Sequence, residues 1–267
     1  MRSLAAIALL CAGTAFAGAG TVTELEGAAY RTPKGAAAPV ALKLGAAVEV
    51  GDTLEVAPGG TLAVTLTDKS VIALDEGSRL QLDEARFGEQ GSTIFSAKLL
   101  LGSLWAKVTK LTAGSQAKFE VTTERGVAGV RGTVFTVDLG AGQDANLEVG
   151  VEEGEVEVAH AVLEEQQRVA VAAAPRPSSF DEPSGAGRVP PLAQAQRFPN
   201  LERVTAGHAI VFGPKALARH RFELRRPRLA AFIGKHRERW LRLAVERERD
   251  RAPLKERRER RQERLRR

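Results

Sequence analysis

The chain has 267 residues, which is enough for one or two domains with a hydrophobic core. Cys11 is its only cysteine, which excludes an intrachain disulfide and a cysteine-rich metal site. The formal net charge of +6 hides an asymmetry, because residues 215–267 hold 21 Lys and Arg but only 8 Asp and Glu. This pattern is typical of a tail that contacts an anionic partner, or of a solvated basic helix.

Residues 1–17 have the pattern of a signal peptide. Arg2 precedes a short apolar run at 4–12, whereas a membrane-spanning helix needs roughly 20 apolar residues. Ala15, Phe16 and Ala17 form an A-x-A cleavage site, so we expect cleavage after Ala17 and a periplasmic or secreted product. The alternative is a lipoprotein signal with Cys11 as the acylated residue. We expect no transmembrane helix in the mature chain.

Residues 18–171 are predicted to form a β domain. Short runs such as 62–66, 119–121 and 134–139 contain alternating or β-branched apolar residues, and Gly-rich or Asp-rich turns separate them. The expected fold class is mainly β, an antiparallel-rich sandwich or roll of many short strands. A Pro-rich linker and a basic α-helical tail are expected to follow it.

The C-terminal part divides into three segments. Residues 172–200 are a Pro/Ala/Ser-rich linker, and residues 201–213 are predicted to form a strand that returns to the β body. Residues 214–267 are predicted to be an Arg-rich helical tail. Five apolar residues in this tail have helical spacing, namely Leu229, Phe232, Ile233, Trp240 and Leu243. Their stripe is expected to dock on the β body or on a membrane surface.

One segment carries a specific motif. Residues 128–137 read Ala-Gly-Val-Arg-Gly-Thr-Val-Phe-Thr-Val, and this run closely resembles the signature of the FecR domain. Upstream, residues 50–54 resemble the "GD" element of that family and residues 60–70 resemble its Gly-Ser hairpin, with Lys69 at a position where glycine is usual. The resemblance extends over about residues 20–160.

The resemblance implies an extracytoplasmic β domain in which the motif residues are structural, namely Gly129, Val130, Arg131, Gly132, Thr133 and Phe135. The glycines would allow a bulge or a close backbone approach, and the apolar residues would fill the core. Arg131 is expected to hydrogen-bond carbonyls or a carboxylate where two strands cross. The alternative is that Arg131 binds an anionic ligand.

The sequence offers little evidence of catalysis. The histidines at 160, 208, 220 and 236 are isolated from one another, and no pattern predicts a metal ion, a cofactor or a catalytic residue. Paired acids such as Asp75-Glu76 and Glu152-Glu153 fall at turns or strand ends. Trp105 could be a core residue or a surface platform. We therefore expect a protein that is not an enzyme.

The expected function is that of a non-catalytic binding or scaffolding module of the bacterial cell envelope, with a protein partner. A first alternative is binding of anionic lipid or polysaccharide by seven tail arginines, Arg257, Arg258, Arg260, Arg261, Arg264, Arg266 and Arg267. Nucleic acid is not the expected natural partner of an exported protein. A second alternative is a signal-transduction regulator that is related to FecR sigma regulators but lacks their cytoplasmic segment.

Export can be tested directly. Expression of the full-length gene product should yield a mature protein whose N-terminal residue, determined by Edman sequencing, is Gly18. A replacement of Ala17 by a large residue should block cleavage, because the site requires small side chains. A cytoplasmic product that keeps Met1 would contradict the prediction.

Overall fold

The computed structural model describes residues 18–88, 93–109, 117–142, 146–160, 201–213 and 217–242. These residues form seventeen strands and one helix, so the predicted mainly β fold is confirmed. The strands of the first half are β1 Gly20–Glu26, β2 Ala29–Thr32, β3 Val40–Ala41, β4 Ala47–Val48, β5 Thr53–Val56, β6 Thr61–Leu66, β7 Val71–Leu74 and β8 Arg79–Phe87. The others are β9 Thr93–Lys107, β10 Lys118–Thr122, β11 Gly126–Val130, β12 Val134–Leu139, β13 Leu147–Glu153, β14 Glu155–His160, β15 Leu201–Thr205, β16 His208–Phe212 and β17 Leu217–Arg221.

The strands form two sheets that share β9. Sheet A has the order β4-β1-β6-β7-β9-β12-β13-β16-β17. Sheet B has the order β3-β2-β5-β8-β9-β10-β11-β14-β15. The described pairings are antiparallel, apart from the parallel pair β9–β10. The segment 201–213, which the sequence predicted as one strand, is a hairpin whose β15 joins sheet B and whose β16 joins sheet A.

Strand β9 passes from sheet B into sheet A without a break, although the separate apolar runs at 94–101 and 104–108 predict two strands. Gly102 lies at the bend with a φ of 88°. A Cβ at this position would lie 2.6 Å from the Cα of Ser78, so only glycine fits. The Ser78 hydroxyl donates a hydrogen bond to the carbonyl of Ser103 over 3.1 Å, and the Ser103 amide donates to this hydroxyl over 2.9 Å. The strand continues because both halves have partners on each side.

The main core lies between the two sheets. Phe95 of β9 stacks on Phe119 of β10, with ring centroids 4.5 Å apart, and Phe119 meets Phe135 of β12 edge-on at 6.4 Å. All three rings are fully buried. Since Phe135 comes from sheet A and the others from sheet B, this aromatic cluster joins the two layers.

A helix, α1, covers the outer face of sheet A. It comprises residues 227–242 of the described chain and begins at Pro227, whose missing N–H costs nothing in a first turn. Four apolar residues of its stripe are buried against the sheet: Leu229, Phe232, Ile233 and Trp240. Trp240 packs on Trp105 of β9 with a centroid separation of 5.4 Å. Trp105 is therefore a buried residue beneath the helix and not a surface platform.

The tail differs from its prediction at one segment. Residues 217–221, predicted as part of the helical tail, form β17 and pair with β16 at the edge of sheet A. Their basic composition does not discriminate between helix and strand, and the ladder of hydrogen bonds to β16 decides it. The signal peptide, the linker and Leu243 lie outside the described residues. Within the described part, no helix is both long and apolar enough to span a bilayer.

In the turn between β6 and β7, Lys69 occupies the position that is glycine in the FecR pattern. Lys69 has a φ of 67°, in the left-handed region that side chains disfavour. The buried carboxylate of Asp68 fixes the turn by accepting hydrogen bonds from the amide and the hydroxyl of Ser70, both over 2.9 Å. The turn therefore carries strain at one exposed residue.

This strain can be measured by chemical denaturation. The substitution Lys69→Gly should raise the free energy of unfolding by about 1 kcal/mol, since glycine adopts a positive φ without a steric penalty. Lys43→Gly is the matched control, because Lys43 is exposed and has no positive φ. The control should not stabilise the protein. Equal effects of the two substitutions would argue against strain at Lys69.

Candidate functional site

The motif predicted from the sequence lies where the chain crosses from one sheet to the other. Strand β11 ends at Val130 in sheet B, β12 begins at Val134 in sheet A, and residues 131–133 make the crossing. Gly132 has a φ of 102°. Thr133 is fixed on both sides, because its carbonyl accepts the amide of Val108 over 2.9 Å and its hydroxyl donates to the carbonyl of Glu155 over 2.9 Å.

The apolar motif residues are divided between two cores. Val130 and Phe135 are buried in the core between the sheets. Val134 points to the other face of sheet A and is buried beneath α1 with Trp105. Together with Gly132 and Thr133, these residues have evident roles in the fold.

Arg131 does not have the role that the sequence analysis expected. It is exposed, and it forms no hydrogen bond or ion pair with the residues that the structure describes. Other groups bind the carbonyls at and beside the crossing: the Val108 amide binds that of Thr133, the Thr133 hydroxyl that of Glu155, and the Ala206 amide that of Gly154 over 3.0 Å. An arginine at this crossing is thus not required for its hydrogen bonds.

Gly129 is the second motif residue without a structural requirement. Its φ is not in the left-handed region, and a Cβ at this position would meet only the carbonyl oxygen of Glu157, at 3.9 Å. A Cβ at this position would therefore cause neither backbone strain nor a collision. Its partners across the sheet are Glu120 of β10 and Glu157 of β14.

The missing side chain leaves a concavity on the outer face of sheet B, which we call the Gly129 trough. It has a volume of about 890 Å³, within the range of small-ligand and peptide sites. Its walls are Lys118 and Glu120 of β10 on one side and Glu155 and Glu157 of β14 on the other, with Arg131 at one end.

The charges of the trough walls are paired among themselves. Lys118 lies 2.7 Å from the carboxylate of Glu120. Arg203 of β15 bridges Glu155 and Glu157 at 2.8 Å and 3.4 Å. Arg131 is therefore the cation of the described trough whose charge no neighbouring carboxylate neutralises.

Sequence reasoning identified the two central residues of the trough but not its walls. Glu155 and Glu157 share a face of β14 by their alternation, which the sequence could have revealed. Their pairing with Arg203, about fifty residues away in the sequence, depends on the hairpin that brings β15 beside β14.

The paired acids that the sequence analysis noted are buried or form ion pairs within the fold. Asp75 is buried, and desolvation raises the pKa of its carboxyl above the ordinary value. Glu152 and Glu153 both pair with Arg237 of α1. In the described ranges no three His, Cys, Asp or Glu side chains are grouped in a way that could hold a metal ion.

The described part of the basic tail contacts the acidic body. Five carboxylates around sheet A pair with basic residues at and around α1, for example Lys235 with Glu26 at 2.6 Å and Arg239 with Glu24 at 2.6 Å. The others are Arg228 with Glu76, and Arg237 with Glu152 and Glu153. The seven arginines at 257–267 that were predicted to bind anionic surfaces lie outside the described residues.

The division of the motif into structural and non-structural residues can be tested by thermal unfolding. Gly132→Leu should destabilise the protein by roughly 1–3 kcal/mol, because leucine must adopt a positive φ. Gly129→Leu should not destabilise the protein, because a Cβ fits there without strain, and Arg131→Ala should change the stability by less than about 0.5 kcal/mol, as is usual for exposed positions. A large loss of stability in Arg131→Ala would restore the structural role for this arginine.

Comparisons with known proteins agree with the motif. A family model described as FecR protein matches residues 52–157. Two crystal structures of a "putative anti-sigma factor" from Parabacteroides distasonis, at 1.65 and 2.50 Å resolution, are similar in fold at 16% sequence identity. The TM-scores are 0.44 and 0.43; the alignments cover 68% of this chain and 64% and 63% of the other chains. No curated protein matches the sequence.

The matched segment is only part of the folded unit. Strands β1 to β4 precede it, and β15 to β17 follow it, yet they complete the same two sheets. The motif at 128–137 lies in the C-terminal half of the match, at the crossing between the sheets. The chain thus carries a FecR domain match at residues 52–157.

Proposed function

We propose that this protein is a non-catalytic FecR-type binding module that works outside the cytoplasm, in the bacterial cell envelope. Its partner is a protein, and the Gly129 trough is the site at which the partner binds. The trough is the feature of the FecR motif that the fold itself does not explain.

The observation that carries the proposal is the pair Gly129 and Arg131. The backbone conformation does not require glycine at 129, and the crossing does not use the guanidinium at 131. Exposed residues that the fold does not need, and that line a concave surface, are typical of binding sites. Among the described residues, α1 covers sheet A and leaves the trough on sheet B uncovered.

Several side chains that could serve in catalysis have structural partners instead. The carboxylate of Asp52 accepts the amide of Glu49 over 2.9 Å and pairs with Arg31 at 3.1 Å. Asp68 and Ser70 bind each other within a buried turn. These environments favour a binding module over an enzyme. Export, which the N-terminal sequence predicts, supplies the envelope location.

The alternative of an anionic-polymer-binding tail receives no support from the described helix. Its cations are engaged by Glu24, Glu26, Glu76, Glu152 and Glu153, which leaves less free charge for a membrane or a polysaccharide. The role of the terminal arginines stays a prediction. A signal-transduction role, which the relation to FecR regulators suggests, is a special case of protein binding.

Site-specific photo-crosslinking in cells tests the proposal. A benzoylphenylalanine at position 157, in the trough wall, should give a discrete protein adduct after irradiation. The same residue at position 242, on the far side of the fold and exposed, is the control and should give no such adduct. Gly129→Leu, which fills the trough without strain, should abolish the adduct at position 157.

The outcomes separate the alternatives. An adduct with an envelope protein supports the proposal, and one with a regulatory partner would favour the signalling role. Equal labelling from positions 157 and 242, or an adduct that persists in Gly129→Leu, would contradict binding at the trough.

A further inference from the structure

We infer that the trough receives an extended acidic peptide segment of the partner, with one carboxylate bound by Arg131. This inference rests on the proposed function and specifies the chemistry of the ligand. It follows from the shape of the trough and from the distribution of its charges.

The shape suits an extended chain. Glycine at position 129 leaves β11 flat between the side chains of β10 and β14, which lie two strand spacings apart, about 10 Å. The trough follows β11 towards Arg131, so a peptide in it would run along the strand and not across it.

The charges of the trough indicate that the bound group of the ligand is negatively charged. The carboxylates of Glu120, Glu155 and Glu157 already pair with Lys118 and Arg203, three carboxylates against two cations. Arg131 lies at the end of the same surface and is unpaired among the described residues. A guanidinium binds a carboxylate through two parallel hydrogen bonds, which fixes the direction of the ligand as well as its charge.

The same walls argue against a dense polyanion. A phosphate polymer or an acidic polysaccharide would place several charges beside the three glutamates, and like charges at close range repel. A peptide with a single acidic residue at the position of Arg131 avoids this repulsion. Its other residues can hydrogen-bond to the polar walls.

Selection of peptides and a charge swap test this inference. The purified mature protein is used to select from a phage-displayed library of short random peptides, and the dissociation constant of a selected peptide is measured by fluorescence anisotropy. The selected peptides should share an acidic residue. Arg131→Glu should weaken binding roughly tenfold to a hundredfold, which is the usual effect of losing a charge-assisted hydrogen-bonded pair. Binding of the wild type should also weaken with added salt.

The controls make the effect specific. Arg242→Glu changes the charge by the same amount at an exposed position on α1 and should leave the affinity unchanged. A peptide whose acidic residue is replaced by lysine should bind Arg131→Glu better than the wild type. The melting temperature of each variant is measured first and should equal that of the wild type, so that unfolding does not account for a loss of binding.

Each outcome decides a specific point. If Gly129→Leu abolishes peptide binding but Arg131→Glu has no effect, the acidic ligand is wrong while the trough remains the binding site. If neither substitution affects binding, or if no peptide is selected, the inference fails. The proposed function is tested separately by the crosslink: it fails if position 157 gives no adduct, labels no better than position 242, or gives an adduct that persists in Gly129→Leu.

Discussion

The bend of β9 at Gly102 is the constraint on which the rest of the structure depends. Because β9 belongs to both sheets, the strands that pair with its two halves are fixed in register relative to each other. Ser78 holds the bend through two hydrogen bonds to Ser103, in a space that only a glycine at 102 leaves open. The core rings of Phe95, Phe119 and Phe135 then meet between the layers and remove the apolar faces of both sheets from water.

The basic charge of the described helix is matched by acidic residues of the same chain. Helix α1 is basic because it lies among the carboxylates that surround the outer face of sheet A. The free energies of the two kinds of contact show what attaches α1 to the sheet. Each large apolar side chain that the helix buries contributes about 1.5–3 kcal/mol, whereas an exposed ion pair contributes about 0–1 kcal/mol. The contact of Trp240 with Trp105 and its neighbours thus supplies most of the attachment, and ion pairs such as Lys235 with Glu26 fix the direction of the helix.

The FecR motif combines two kinds of residue in one short segment. Gly132, Thr133 and Phe135 build the crossing between the sheets and its packing. Gly129 and Arg131 alternate with the buried Ala128 and Val130 at the end of β11 and face the opposite side of sheet B. The period of two residues in a strand separates these roles, since inward residues serve the core and outward residues remain available for a ligand. A motif of this kind can keep its fold while its outer face serves recognition.

The sequence by itself determined the mainly β class, most of the strands, the FecR relationship and the apolar stripe of the tail, because these depend on local alternation, turn residues and helical spacing. It did not determine that β9 is continuous or that residues 217–221 form a strand, because partners distant in sequence stabilise these segments. It also predicted a pairing for Arg131 that the tertiary structure does not contain. The charge balance of the trough depends on Arg203 lying beside β14. Whether glycine is sterically required at 129 depends on the neighbouring strands. Both are properties of neighbours in space, which only the tertiary structure brings together.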